Sequence, residues 1–149
     1  MPAELVWTDS DARILIGPKA RSLLAPFTGW TSRPVQLIGS RGEPIYNYEL
    51  LVVNGRCGPV DLKRIQPTIQ TAGNKAFSSY HGLCFVTEQW DDSDVFMFPE
   101  RMGLVLVKDG VKFALEKTFT NVTFDKLSEV ELDEVSIEVI RRHQRERVT

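Results

Sequence analysis

Two stretches of this chain share one hydrophobic rhythm, and that rhythm restricts the fold more than any other feature. Arg13-Ile-Leu-Ile-Gly-Pro-Lys-Ala-Arg-Ser-Leu-Leu24 parallels Leu104-Val-Leu-Val-Lys-Asp-Gly-Val-Lys-Phe-Ala-Leu115, with Ile14, Ile16, Ala20 and Leu24 placed like Val105, Val107, Val111 and Leu115. Alternation followed by apolar residues three and four apart reads as a short strand feeding a short helix with one buried face. The first helix is expected over Pro18 to Ala25, with Pro18 in its first turn and Pro26 enforcing its stop. The second is expected over Asp109 to Lys117, capped by Asp109. A return strand should follow each, over Thr31 to Ile38 and Asn121 to Leu127, after a left-handed residue at Gly29 and at Asn121. The units at 13–38 and 104–127 are either a duplication or the limited vocabulary of strand-helix-strand structure.

Sheet material lies between them. Val35 to Ile38, Pro44 to Val53 and Val60 to Ile65 read as strands separated by the turns Gly39-Ser-Arg-Gly42 and Asn54-Gly-Arg-Cys-Gly-Pro59. Tyr46, Tyr48 and Leu50 alternate with Asn47 and Glu49, which predicts one aromatic, apolar face. Gln66 to Ser79 is polar, carries Pro67 and Gly73, and reads as a long surface loop. His81 to Val86 and Val95 to Phe98 frame a strand-turn-strand passage. Val135, Ile137 and Val139 alternate, favouring an edge strand over a terminal helix. The expected class is α+β, a mainly antiparallel, twisted sheet with short helices. A single domain over 1–149 is the default, with two interlocked subdomains of about 70 residues as the alternative.

Composition excludes several partners. With 18 basic and 20 acidic side chains the formal net charge is -2, which disfavours general attraction to nucleic acid or anionic membrane. Arg56, Lys63, Arg64 and Lys75 with Tyr46, Tyr48 and Tyr80 are too diffuse for a basic-aromatic nucleic-acid face. The Arg141, Arg142, Arg145 and Arg147 cluster reads as a solvated terminus. Cys57 and Cys84, the only cysteines, fit a reduced protein in which Cys84 fills core and Cys57 occupies a turn. No signal segment or apolar span is visible, so a cytoplasmic location is expected.

Catalytic signatures are missing from the sequence. His81 and Cys84 would need further ligands to hold zinc, and His143 belongs to the charged end. Asp91, Asp92 and Asp94 lack the glycine and ligand spacing of a calcium loop. Glu88 with Asp94 as an acid/base pair rests on proximity alone. No cofactor, metal or catalytic residue is therefore assigned, and the chain is read as a non-enzyme. What stands out is Glu88-Gln-Trp-Asp-Asp-Ser-Asp-Val-Phe-Met-Phe98. Glu88, Asp91, Asp92 and Asp94 would steer a basic partner, while Trp90 and Phe96 would supply a desolvated anchor and its support. An ordinary acidic turn entering a core strand is the competing reading.

From Trp90 to Val130 the chain resembles a family of bacterial polymorphic-toxin immunity proteins, first catalogued as a domain of unknown function. The resemblance rests on Trp90-Asp-Asp-Ser-Asp-Val-Phe96, the strand-helix run Val105 to Leu115, and Thr120-Asn-Val-Thr-Phe-Asp-Lys-Leu127. Asp92 stands where that pattern is expected to carry glycine. Tyr46-Asn-Tyr-Glu-Leu-Leu51 and the first strand-helix unit fit in looser form, making this a compact version. The resemblance implies an intracellular protector that binds and neutralises a cognate protein toxin by occlusion, and leaves its oligomeric state open; charge and hydropathy call for no membrane or nucleic-acid partner. The alternatives are a noncatalytic regulatory or adaptor protein and an unrecognised hydrolase.

Overall fold

A computed structural model describes residues 4–7, 13–100 and 103–148. The chain opens with β1 (Leu5–Trp7), β2 (Ile14–Ile16), α1 (Pro18–Leu24), β3 (Trp30–Pro34), β4 (Leu37–Ile38), β5 (Pro44–Ile45), β6 (Glu49–Val53) and β7 (Gly55–Arg56). It continues through β8 (Gln66–Ala72), β9 (Lys75–His81), β10 (Val95–Met97), β11 (Leu106–Val107), α2 (Asp109–Glu116), β12 (Glu131–Asp133) and α3 (Glu134–Val148). This is an α+β fold with short helices and twisted sheets. Among the described residues every strand pair is antiparallel except β7 with β10, which run parallel.

Residue packing divides the chain into two compact units. The first comprises residues 1–56, 91–97 and 103–124, and the second 57–90, 98–102 and 125–149. In the first unit the strands order β1-β2-β6-β3 in one sheet and β11-β10-β7 in another, while β4 and β5 form a separate pair. Both rhythmic stretches fall in this unit. Ala20 and Leu24 on α1 and Val111 and Leu115 on α2 join Ile14, Ile16 and Val95 in one apolar cluster. Each of the leucine, isoleucine and valine side chains contributes roughly 1.5–3 kcal/mol by leaving water, and Ala20 less, which is why the i, i+4 pairs override the low helix-forming tendency of so short a segment.

Helix α1 begins on Pro18 as expected, and its free N–H groups find a distant partner: Glu4 Oε2 accepts from Lys19 N at 3.0 Å and Ala20 N at 3.2 Å. Helix α2 corrects the cap assignment. Lys108 is its N-cap and makes no side-chain cap bond, whereas Asp109 lies inside the first turn, where its charge opposes the helix dipole favourably.

The return strands differ from expectation. After α1, Trp30–Pro34 pairs with β6 but the chain then breaks, and Leu37–Ile38 pairs separately with Pro44–Ile45. After α2 there is no strand over 121–127. Val122 is buried and Phe124 packs against the cluster from a loop, while Asn121 Nδ2 donates to the Leu5 carbonyl at 2.9 Å. Gly29 is left-handed at φ +94, but among the described residues the left-handed non-glycine ones are Asn47 and Asp92, not Asn121. Asn47 at φ +73 breaks the alternation through Tyr46 and Tyr48, leaving Tyr46 72% exposed and no continuous aromatic face.

In the second unit β12-β9-β8 form one antiparallel sheet. The expected 66–79 loop is instead a hairpin, paired without interruption from Gln66↔His81 to Ala72↔Lys75. Gly73, at φ +62, opens its two-residue turn, the conformation that glycine adopts without steric cost. Residues 60–65 form no strand beyond a bridge from Val60 to Phe85, and 83–86 contribute only that bridge. The expected terminal edge strand is α3. Ile137 and Ile140 are its buried residues, and Asp133 Oδ1 accepts from the Ser136 N–H at 2.7 Å at its start. Neither cysteine is in a disulfide; Cys57, expected in a turn, is buried, and Cys84, expected in the core, is half-buried.

Candidate functional site

The acidic run is a chain of ties. Asp91 Oδ2 accepts from the Arg56 N–H at 2.9 Å, its Oδ1 accepts from the Ser93 N–H at 3.0 Å and from the Ser93 hydroxyl, and its own N–H returns to the Arg56 carbonyl at 3.1 Å. Burial pulls the Asp91 carboxyl upward, yet the bonds from the Ser93 side chain and from the Arg56 and Ser93 backbone outweigh it and hold its pKa below the usual carboxylate value.

Asp94 is bound from a different segment. Its Oδ2 accepts from Thr28 N at 2.8 Å and Thr28 Oγ1 at 3.1 Å, while the Asp94 N–H donates back to Thr28 Oγ1 at 3.2 Å. The Thr28 backbone N–H chiefly lowers the Asp94 pKa against desolvation, and the Thr28 hydroxyl and Lys108 ammonium add to it.

Between these two, Asp92 turns outward. It takes φ +62, an asparagine-or-glycine kind of backbone, and its side chain is 84% exposed. Lys108 Nζ closes the turn by donating to the Asp92 carbonyl at 2.8 Å and to Asp92 Oδ1 at 2.9 Å, with Asp94 Oδ1 at 3.6 Å. The bond to Asp92 raises the Lys108 pKa above its ordinary value.

Beneath the turn the backbone comes close. A β-carbon at Gly29 or at Gly55 would overlap the Val95 carbonyl and the Ser93 side chain. Gly29 O in turn accepts from Asn54 N at 2.8 Å and Gly55 N at 2.9 Å. Two glycines far apart in sequence therefore make room for 93–95. Phe96, in β10, is buried at 5% exposure and belongs to the interior.

Glu88 and Trp90 fall in the second unit. Glu88 is exposed in the 3-10 turn Thr87–Gln89. Trp90 is half-buried, its ring edge-on to Phe85 at 5.7 Å, and Phe85 meets Phe98 edge-on at 6.0 Å. The six residues thus divide: Asp91, Asp92, Asp94 and Phe96 in one unit, Glu88 and Trp90 in the other.

Sequence reasoning missed Thr28, Arg56 and Lys108, the partners that hold the acids. No local signal names Thr28, which lies 66 residues from Asp94. Lys108, just before α2, could have been proposed on charge. The basic-aromatic set is also divided: Arg56 Nη1 donates to the Val53 and Gly55 carbonyls at 2.8 Å, while Tyr80 donates its hydroxyl to Glu134 at 2.9 Å in the second unit. His81 Nδ1 lies 3.6 Å from Glu131. Among the described residues no three of His, Cys, Asp and Glu gather as metal ligands, and no helix is long and apolar enough to cross a membrane. In comparisons with known proteins, no family model matches the chain and no curated protein matches it.

Proposed function

We propose that this chain is a noncatalytic protein-binding molecule, and specifically a cytoplasmic immunity protein that neutralises a cognate bacterial toxin by covering it. The observation that carries this reading is the Asp91–Asp94 turn. Its carboxylates are oriented by fixed donors, and Asp91 and Asp94 have lowered pKa values. A carboxylate with a lowered pKa is a poor proton acceptor near neutral pH, whereas a preoriented negative surface suits lysines and arginines of a partner. Exposed Asp92 and Glu88 would steer encounter, and the half-buried Trp90 would supply apolar contact. The test is genetic and then physical. The gene should adjoin one for a secreted toxin, and co-expression should restore growth against that toxin; absence of both binding and rescue would sink the proposal. Within a bound pair, Asp91→Asn with Asp94→Asn should slow association most at low ionic strength, where the lost steering is unscreened.

A further inference from the structure

The sheet β12-β9-β8 carries a depression that the acidic turn does not use. Side chains alternate faces along a strand, so the registers Asp133↔Ser79 and Gln70↔Phe77 put Glu131, Asp133, Ser79, Phe77 and Gln70 on one face. Strand β12 ends at Asp133 and α3 leaves from Glu134, so no strand residue stands beside Phe77 on that side. The gap is an open depression of about 350 Å³, whose lining includes those five residues and Ser136 from the start of α3.

Three side chains specify an occupant. Ser79 is only 7% exposed, and its hydroxyl has no hydrogen-bond partner among the described residues, although its carbonyl accepts from Thr68 Oγ1 at 3.3 Å. A nearly buried hydroxyl is seldom left unbonded, so this one calls for a polar group from outside. Phe77, 48% exposed, supplies an aromatic wall. Asp133 Oδ1 accepts from the Ser136 N–H at 2.7 Å, which with the Ser136 side chain holds its carboxyl below the usual pKa, so Asp133 stays ionised near neutral pH with its second oxygen to offer. Glu131, two positions back along β12 and therefore about 7 Å away, adds a second acid; His81 Nδ1 lies 3.6 Å from it. No lysine or arginine lines the depression, and Lys75, two positions before Phe77 on the same face, lies outside the lining.

We infer that this depression takes an arginine side chain of a partner protein, its guanidinium lying against Phe77 and donating to the Asp133 carboxylate and the Ser79 hydroxyl, with Glu131 as a second negative charge. A guanidinium suits these groups better than an ammonium, because it is planar and weakly hydrated and can stack on a ring while bonding at its edge. Two carboxylates disfavour an anion, and an apolar group would leave Ser79 unbonded. A metal would have too few ligands, since no three of His, Cys, Asp and Glu gather among the described residues. The inference rests on the protein-binding reading and names the residue type that such a partner brings to this face.

Titrated into the full chain, capped Gly-Arg-Gly should shift the Phe77 ring and the Ser79 and Asp133 amide resonances along a saturable curve. The same peptide with citrulline, a neutral urea of nearly the same shape, should bind about tenfold more weakly, and its lysine counterpart about threefold. Asp133→Asn removes the charge but keeps a side-chain oxygen for the Ser136 N–H, and should weaken arginine-peptide binding about threefold; Phe77→Leu should do the same. Equal binding of the arginine and citrulline peptides, undiminished binding by either folded variant, or shifts confined to the Asp91–Asp94 turn would overturn the inference. If Asp133→Asn does not fold, Glu131→Gln takes its place, with about a twofold loss expected and an unchanged affinity counting against the site. A lysine peptide equal to the arginine peptide would overturn the choice of guanidinium. Free arginine binding tenfold more tightly than the capped peptide would overturn the protein source and assign the depression to a small molecule. Toxin rescue uses no peptide, so the two readings fail separately. Rescue with an inert depression removes only this inference, and arginine docking without rescue removes only the immunity assignment.

Discussion

Asp92 shows how a single residue can carry two opposed effects. Its left-handed backbone costs a non-glycine residue about 1–2 kcal/mol, while its carboxylate and carbonyl receive the Lys108 ammonium. Both Asp92→Gly and Asp92→Ala lose the carboxylate, but only glycine is relieved of backbone strain. Chemical denaturation should therefore find Asp92→Ala the less stable of the two by about 1 kcal/mol. The neighbouring acids give a pH signature. Asp91 and Asp94 have folded pKa values below 3.8, so their stabilisation is complete above that value and is lost as pH falls through the lower folded values. Lys108 acts at the other end, its contribution present below 10.5 and lost as pH rises through its raised folded value. Asp94→Asn should flatten the acid limb of a plot of melting temperature against pH; an unchanged limb would mean that the Thr28 bonds do not form in solution. Trp90 packs its ring edge-on against Phe85, so Trp90→Ala should melt lower than wild type while Arg145→Ala, whose partner is the exposed Glu138, should not.

Among the elements, those set by local chemistry were legible and those set by distant pairing were not. Helix α1 follows from Pro18, Pro26 and the Ala20, Leu24 spacing, and α2 from Val111 and Leu115, because a buried helical stripe is written within eight or so residues. The α3 segment was ambiguous because Val135, Ile137 and Val139 satisfy a period of two, while the residues it buries, Ile137 and Ile140, satisfy a period near 3.6. The start signal was present in Asp133. Further along α3, Gln144 Nε2 donates to the Val60 carbonyl at 2.9 Å and to Glu100 Oε1 at 2.8 Å, and Glu100 is 1% exposed. Gln144→Ala should cost about 1–3 kcal/mol in denaturant unfolding, because it strips a donor from a buried carboxylate. For the hairpin the useful signal was Gly73-Asn74 following the β-branched Thr68, Ile69 and Thr71 and preceding the aromatic Phe77 and Tyr80, outweighed in a reading of polarity alone. Its strands face water on much of both sides, so the apolar alternation that usually marks a strand is absent.

Across the whole molecule, the chain passes between its two units at residues 56–57, 90–91, 97–98, 102–103 and 124–125. Neither unit is a continuous stretch, and the acidic-aromatic run, contiguous in sequence, changes unit between Trp90 and Asp91. The thiols provide a global check. With Cys57 buried and Cys84 half-buried and unlinked, reductant should leave the melting temperature unchanged, and native thiol labelling should modify Cys84 before Cys57. Burial raises the Cys84 pKa, so even that reaction should be slow near neutral pH. A reductant-sensitive melt would show a disulfide that this arrangement does not contain.

By itself the sequence determined the α+β class, the positions of two helices, the apolar residues that fill the first unit and the concentration of acids at 88–94. Each of these depends on spacing within a few residues or on the chemistry of one side chain, and both are local quantities. Only the tertiary structure decided which carboxylates point outward, since Thr28, Arg56 and Lys108 reach the acids from separate segments. It also decided that Gly29 and Gly55 must lie beneath the turn, and that a polar stretch becomes an uncharged strand edge. Those outcomes depend on which distant segments meet, and hydrogen-bond partners that far apart leave no periodic trace in the chain.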